Sequence, residues 1–179
     1  MTYCAYQSTI NAGDINQKLY WLNRIDNSDW LPVAISYIAK FGSDSDAVLD
    51  FVFKLERLAA KLHLCAANIN QRIERYGDVL AEIEQTISSD IASLNLTGDE
   101  IKEFISSIDG NVYHLTARRR NYLILRVDSF LSDGAAKYDH TVLTIEHVLP
   151  QTVEQSSEWE RNWPDPEERE TWTHRLANL

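Results

Sequence analysis

Ser43-Asp44-Ser45-Asp46-Ala47-Val48-Leu49-Asp50-Phe51-Val52-Phe53-Lys54-Leu55-Glu56-Arg57-Leu58-Ala59-Ala60-Lys61-Leu62-His63-Leu64-Cys65 is the longest regular stretch of the chain, and its reading decides the fold. Val48, Leu49, Val52, Leu55, Leu58, Ala59 and Leu62 recur at helical spacing and draw one apolar stripe, while the Ser/Asp run ahead of them offers side-chain oxygens to cap the first amides. The pattern predicts a long amphipathic helix that serves as the spine of a helical bundle. His63 sits among Leu62, Leu64 and Cys65 with no second ligand at i+4, so it reads as a partly buried core histidine rather than a metal ligand.

Outward from this spine the same period recurs. Ile15, Leu19, Leu22 and Ile25 predict a helix over 14–25. Ser28 or Asp29 is placed to cap the next, which runs through Trp30, Val33, Ala34, Tyr37 and Ile38 with Pro32 in its first turn and Gly42 at its end. A fourth helix is expected over 68–88, through Ile69, Ile73, Tyr76, Val79, Leu80, Ile83 and Ile87. Gly77 marks a bend or break in it, and Arg72 with Arg75 forms a solvated or salt-bridged face rather than a phosphate clamp. Thr97-Gly98-Asp99-Glu100 is a capping box ahead of Ile101, Phe104, Ile105 and Ile108. The last scaffold helix, 117–131, opens with Arg118-Arg119-Arg120, a basic run set against the helix dipole and therefore expected to be held by acidic neighbours or by a phosphate. About six helices result over 13–132.

The chain has 179 residues, of which 44% are hydrophobic and 25% charged, as in an ordinary globular protein. Its net charge of −10 argues against broad adhesion to nucleic acid through a basic surface, because such binding draws on counterion release by Lys and Arg. A local site is still compatible with it. Cys4 and Cys65 are too few for a disulfide framework or a zinc module and read as reduced, packed thiols. No basic leader and no apolar run long enough to cross a bilayer is present. A cytoplasmic protein without membrane contact is expected.

The last forty residues differ from the scaffold. Val142, Leu143, Ile145, Val148 and Leu149 predict a short strand ended by Pro150, with a carboxylate and an imidazole side by side in Glu146-His147. Alone, such a pair is compatible with an edge strand bearing two solvated side chains. That reading is preferred for the pair taken alone, over a general base next to a cation ligand. Beyond Gln151 the chain turns acidic and aromatic, with Trp159, Trp163 and Trp172 read as packing residues, and Asp165-Pro166-Glu167-Glu168 starts a helix reaching about Arg175.

Ile145-Glu146-His147-Val148-Leu149-Pro150-Gln151, followed after that insert by His174-Arg175-Leu176-Ala177-Asn178-Leu179, resembles the C-terminal HNH (His-Me finger) nuclease domain of the GmrSD-type, modification-dependent restriction proteins. Asp29-Trp30-Leu31-Pro32, Leu55-Glu56-Arg57-Leu58-Ala59, Arg75-Tyr76 and Tyr122-Leu123-Ile124-Leu125-Arg126 look like the helical region ahead of the motif in such proteins. The resemblance implies a mainly α chain: a helical bundle over 1–140, then an incomplete ββα-metal module with a short strand over 141–179. It also implies hydrolysis of DNA phosphodiesters in a restriction or phage-defence system. His147 would be the general base, Glu146 a ligand to Mg²⁺ or Mn²⁺, and Asn178 the amide that fixes the loop and the imidazole. His174 matches a recurrent position without a derivable role.

The third metal ligand of an HNH site is not among these residues, and the N-terminal nucleotide-dependent domain of such proteins leaves no trace here. The expectation is therefore a fragment with little nuclease activity alone. Two other readings stay open: a non-catalytic helical interaction module with a vestigial motif, and a structural zinc site using His147 and His174.

Overall fold

The computed structural model describes residues 11–133, 138 and 143–179. Cys4, the linker residues Lys137 and His140, and Val142 at the start of the expected strand lie outside the described residues. Among those described, regular structure is entirely helical, in the order α1 (Ala12–Asn23), α2 (Leu31–Phe41), α3 (Ser45–Leu64), α4 (Ile69–Gln85), α5 (Gly98–Ile108), α6 (Ala117–Leu131), α7 (Glu158–Asn162) and α8 (Pro166–Thr173). Short 3₁₀ turns cover Ala92–Leu94, Val112–His114 and Leu176–Asn178. The mainly α expectation is met. Packing divides the chain into two compact units, 1–104 and 105–179, a division by contact rather than by role.

In the first unit, α3 packs against α1 and α2, and α2 also packs against α4. The stripe that predicted α3 is its buried face: Val48, Val52, Leu55 and Leu58 are completely enclosed. Ile15 and Leu22 of α1, Val33 and Tyr37 of α2, and Val79 and Ile83 of α4 are equally buried. Each such side chain stabilises the fold by about 1.5–3 kcal/mol relative to exposure. Tyr37 stacks on Phe51 at 3.7 Å and donates its hydroxyl to the Ser89 carbonyl at 2.7 Å, so the one polar atom it buries is satisfied. His63 is a core histidine, 6% exposed, with Nδ1 3.3 Å from Asp26.

The helix starts follow the sequence where a cap is free to act. Asp44 accepts from the Asp46 and Ala47 amides at the head of α3, and Thr97 with Glu100 closes a reciprocal capping box on α5. Asn68 and Gln71 form a second such box on α4. At α2 the expected Asp29 cap is not formed, because the Asp29 carboxylate takes the Arg72 guanidinium at 2.6 Å. Trp30 stands at the cap position without a side-chain bond. Arg75 likewise donates to the Asn95 carbonyl and faces Glu100 at 3.5 Å, so both arginines belong to the salt-bridged face. Gly77 does not break α4, which runs through it.

Gly42 ends α2 for a reason the sequence did not disclose. Its φ is −63°, in the right-handed region, so no left-handed cap demands glycine. A Cβ there would instead overlap the Ile38 carbonyl oxygen, to which the Gly42 amide donates at 2.9 Å. Gly42→Ala is expected to destabilise the first unit by about 1–3 kcal/mol through this overlap, read as a lower melting temperature. An unchanged melt would show that the α2 end relaxes freely.

The second unit departs from expectation at its centre. The short strand expected up to Leu149, and with it the ββ part of a ββα module, is not formed among the described residues. A strand needs a partner ladder for its amides and carbonyls, and here those groups go to the backbone and side chain of Asn178. Val148 N donates to the Asn178 carbonyl at 3.1 Å, and Leu149 is bonded through both its amide and its carbonyl to the Asn178 carboxamide. The helix expected to reach Arg175 ends at Thr173, capped at its start by Asp165 as read.

Candidate functional site

Three short pieces of the second unit supply the site. The 3₁₀ turn between α5 and α6 presents Tyr113 and His114. The irregular segment before Pro150 presents His147. The residue after α8 is His174, and the last 3₁₀ turn places Asn178.

Asn178 is 7% exposed and makes three hydrogen bonds through its carboxamide. Its Oδ1 accepts from Leu149 N, while Nδ2 donates to Leu149 O at 3.0 Å and to Thr173 O at 2.8 Å. The backbone two residues beyond His147 and one residue before His174 is thereby tied to a single amide. A further tie runs from Tyr113 N to the His174 carbonyl at 3.1 Å.

These ties gather an aromatic cluster. The Tyr113 ring meets His147 edge-on at 4.5 Å and stacks on His174 at 5.4 Å and 14°. His174 also meets His114 at 4.4 Å and His147 at 5.7 Å, both edge-on. Such pairs contribute about 0.5–1.5 kcal/mol each beyond burial. Arg120, from the basic run opening α6, caps the far side: its guanidinium lies 4.7 Å over the Tyr113 ring and donates to the Tyr113 carbonyl at 2.7 Å. Among the described residues its partners are thus an aromatic ring and a carbonyl.

The half-buried His147 has Nδ1 3.3 Å from Gln151 Nε2, whereas its Nε2 is buried and, like His174 Nδ1, finds no hydrogen-bond partner among the described residues. Glu146 is solvent-exposed. Among the described residues no group of three or more His, Cys, Asp or Glu side chains is arranged to hold a metal ion. Sequence reading passed over Tyr113 and His114. The available signal was an aromatic-histidine pair in a short connection between two helices.

Burial lowers the His174 pKa below the ordinary imidazole value of 6.5, helped by His114 and His147 and opposed by Glu170. The fold therefore disfavours the protonated ring. Stability from His174 is complete above pH 6.5, and as pH falls through that value the unfolded chain takes up the proton more readily, so it declines. Melting of wild type and His174→Gln compared from pH 7.5 down to about 5 should show the steeper loss in wild type. Parallel curves would assign the loss to other groups.

A second feature of this unit is an open apolar cleft of about 890 Å³, lined by Ile105, Ile108, Leu125, Leu131, Trp172 and Leu176 among others. Trp172 is 38% exposed there, with the Arg175 guanidinium stacked 4.9 Å from it. No described helix is long and apolar enough to cross a membrane.

The second unit is thus a helical domain with a histidine-centred site set by a buried asparagine. Residues 98–179 match the family model described as the C-terminal domain of GmrSD restriction endonucleases. The match begins at the first residue of α5 and takes in every member of the ring cluster. It relates the chain to restriction nucleases. No curated protein and no solved structure matches the chain significantly.

Proposed function

We propose that the His147 cluster is the hydrolytic centre of a metal-dependent, HNH-type DNA endonuclease that restricts modified DNA. The observation that carries this reading is the Asn178 carboxamide, whose three bonds fix the backbone beside His147 within a domain of a restriction endonuclease family. A general base needs a fixed ring and an accessible lone pair. In the tautomer where Gln151 donates to His147 Nδ1, the proton sits on the buried Nε2 and the lone pair on Nδ1 faces an exposed amide that water can replace.

In this reading His147 Nδ1 takes a proton from the attacking water. Asn178 holds the segment, and the neutral ring of His174 stacks behind Tyr113 without adding charge. The donor set suits a hard divalent cation rather than zinc: Glu146 is an exposed carboxylate, and Mg²⁺ or Mn²⁺ commonly takes one or two carboxylates with water and phosphate oxygens filling the shell. Such an ion would neutralise charge developing on the phosphate. A nucleotide-dependent partner domain completes the proposed system.

The test is nicking of plasmid DNA, with and without modified bases, by protein expressed from its natural reading frame in Mg²⁺ or Mn²⁺, wild type against His147→Ala. Equal cleavage by both removes His147 from the mechanism, and no cleavage by wild type on either plasmid overturns the reading. The apolar cleft favours a second reading, a non-catalytic interaction module, in which His147→Ala is silent and the cleft-lining Leu131→Glu impairs function.

A further inference from the structure

We propose that Tyr113 is a positioning residue of the site: its ring is the common surface on which His147 and His174 are oriented, and Arg120 holds that ring in place. The proposal rests on the nuclease reading for its kinetic consequence and on geometry for its structural one. Tyr113 contacts all three histidines of the cluster, at 4.5 Å to His147, 5.4 Å to His174 and 6.0 Å to His114. Its backbone is anchored through both polar groups, the amide to the His174 carbonyl and the carbonyl to Arg120. A residue serving only as filler would need neither anchor.

The chemistry of the cluster explains why a ring is required there. His147 Nε2 and His174 Nδ1 are buried without hydrogen-bond partners among the described residues, so no bond at those atoms fixes the two imidazoles. Hydrogen bonds normally set the rotation of a functional histidine. Here His147 has one exposed contact, from Nδ1 to Gln151 at 3.3 Å, and edge-to-face and stacked contacts with one phenol ring hold the buried sides of both imidazoles. The Tyr113 face turned to Arg120 is occupied by a cation, and its edge and other contacts are left to the imidazoles. An aliphatic side chain of similar volume would fill the space and leave His174 without its stacked partner and His147 with only its exposed Gln151 contact.

Two variants and one measurement on the unaltered protein test this. Tyr113→Phe keeps the ring, and Tyr113→Leu removes it. In the nicking assay, Tyr113→Leu is expected to lower kcat about 10- to 100-fold with KM little changed, since a misaligned base costs turnover and not binding. Tyr113→Phe should restore kcat to near wild type. By proton NMR of the wild-type protein, the Tyr113 ring protons should show cross-relaxation to ring protons of His147 and His174, and the stacked His174 protons should shift upfield. Tyr113→Phe should keep that shift and Tyr113→Leu lose it.

Full activity in Tyr113→Leu, or equal loss in Tyr113→Phe, overturns the proposal. If Tyr113→Leu does not fold, the wild-type spectra decide: absent ring contacts overturn the arrangement and present ones support it. Ring contacts in a protein that nicks no DNA support the arrangement while sinking the nuclease reading, so the two failures are distinguishable.

Discussion

Asn178→Ala is expected to destabilise the second unit by about 3–5 kcal/mol, because it strips partners from several buried groups at once. Leu149 loses a partner at both its amide and its carbonyl, and the Thr173 carbonyl loses a third bond, with Leu149 only 4% and Thr173 only 6% exposed. Each buried polar group left unsatisfied costs about 1–3 kcal/mol, against a total stability of about 5–15 kcal/mol for a typical domain. Thermal melts followed by circular dichroism should show a large fall, and amide exchange at Leu149 should accelerate. Asn178→Asp discriminates further. It keeps the acceptor for Leu149 N but turns a charged oxygen toward two carbonyls, so at neutral pH it should be no better than alanine. A loss under 1 kcal/mol in either variant would mean that the loop is held by something other than this amide.

His147→Ala should reduce DNA nicking by about 100- to 10,000-fold, the usual contribution of a positioned general base, or about 3–5.5 kcal/mol in the barrier. In the proposed mechanism the effect belongs in kcat, because the half-buried ring at position 147 would abstract a proton in the transition state and has no assigned part in holding the substrate. Circular dichroism of the variant should match wild type, since the anchors of the segment are the backbone atoms of Val148 and Leu149 and not the imidazole. A fall in cleavage matched by a fall in melting temperature would place His147 among the packing residues instead.

The helices were legible because their information is local. The Val48–Leu62 stripe, the Asp44 cap and the Thr97/Glu100 box each depend on residues within a few positions of one another, and each reappears as a buried face or a formed bond. Asp29 shows the limit. Its local role as a cap lost to an arginine 43 positions away, which no periodicity reveals. The strand before Pro150 failed for the same reason from the other side: β-branched residues announce a strand, but only a partner segment makes one, and the described residues provide Asn178 in its place.

The site was half legible. The words around His147 and Asn178 stand out as residue types in order, and the structure brings both into one unit with His174. Tyr113 and His114 did not stand out, since a tyrosine and a histidine in a connection between helices carry no spacing rule. They join the site only because the amide of Tyr113 reaches the carbonyl of His174 across sixty-odd residues of chain.

The bonds between Leu149 and Asn178 span 29 residues, and the later partner is the one that does the holding. On a translating ribosome the His147 segment therefore emerges and waits, at about 5–20 residues per second, until position 178 has cleared the exit tunnel. Nascent chains tethered nearer than that should leave the Leu149 amide open to exchange. A chain wired in this way withholds the ring arrangement around His147 from its own unfinished copies, so assembly timing is written into which residue supplies the brace.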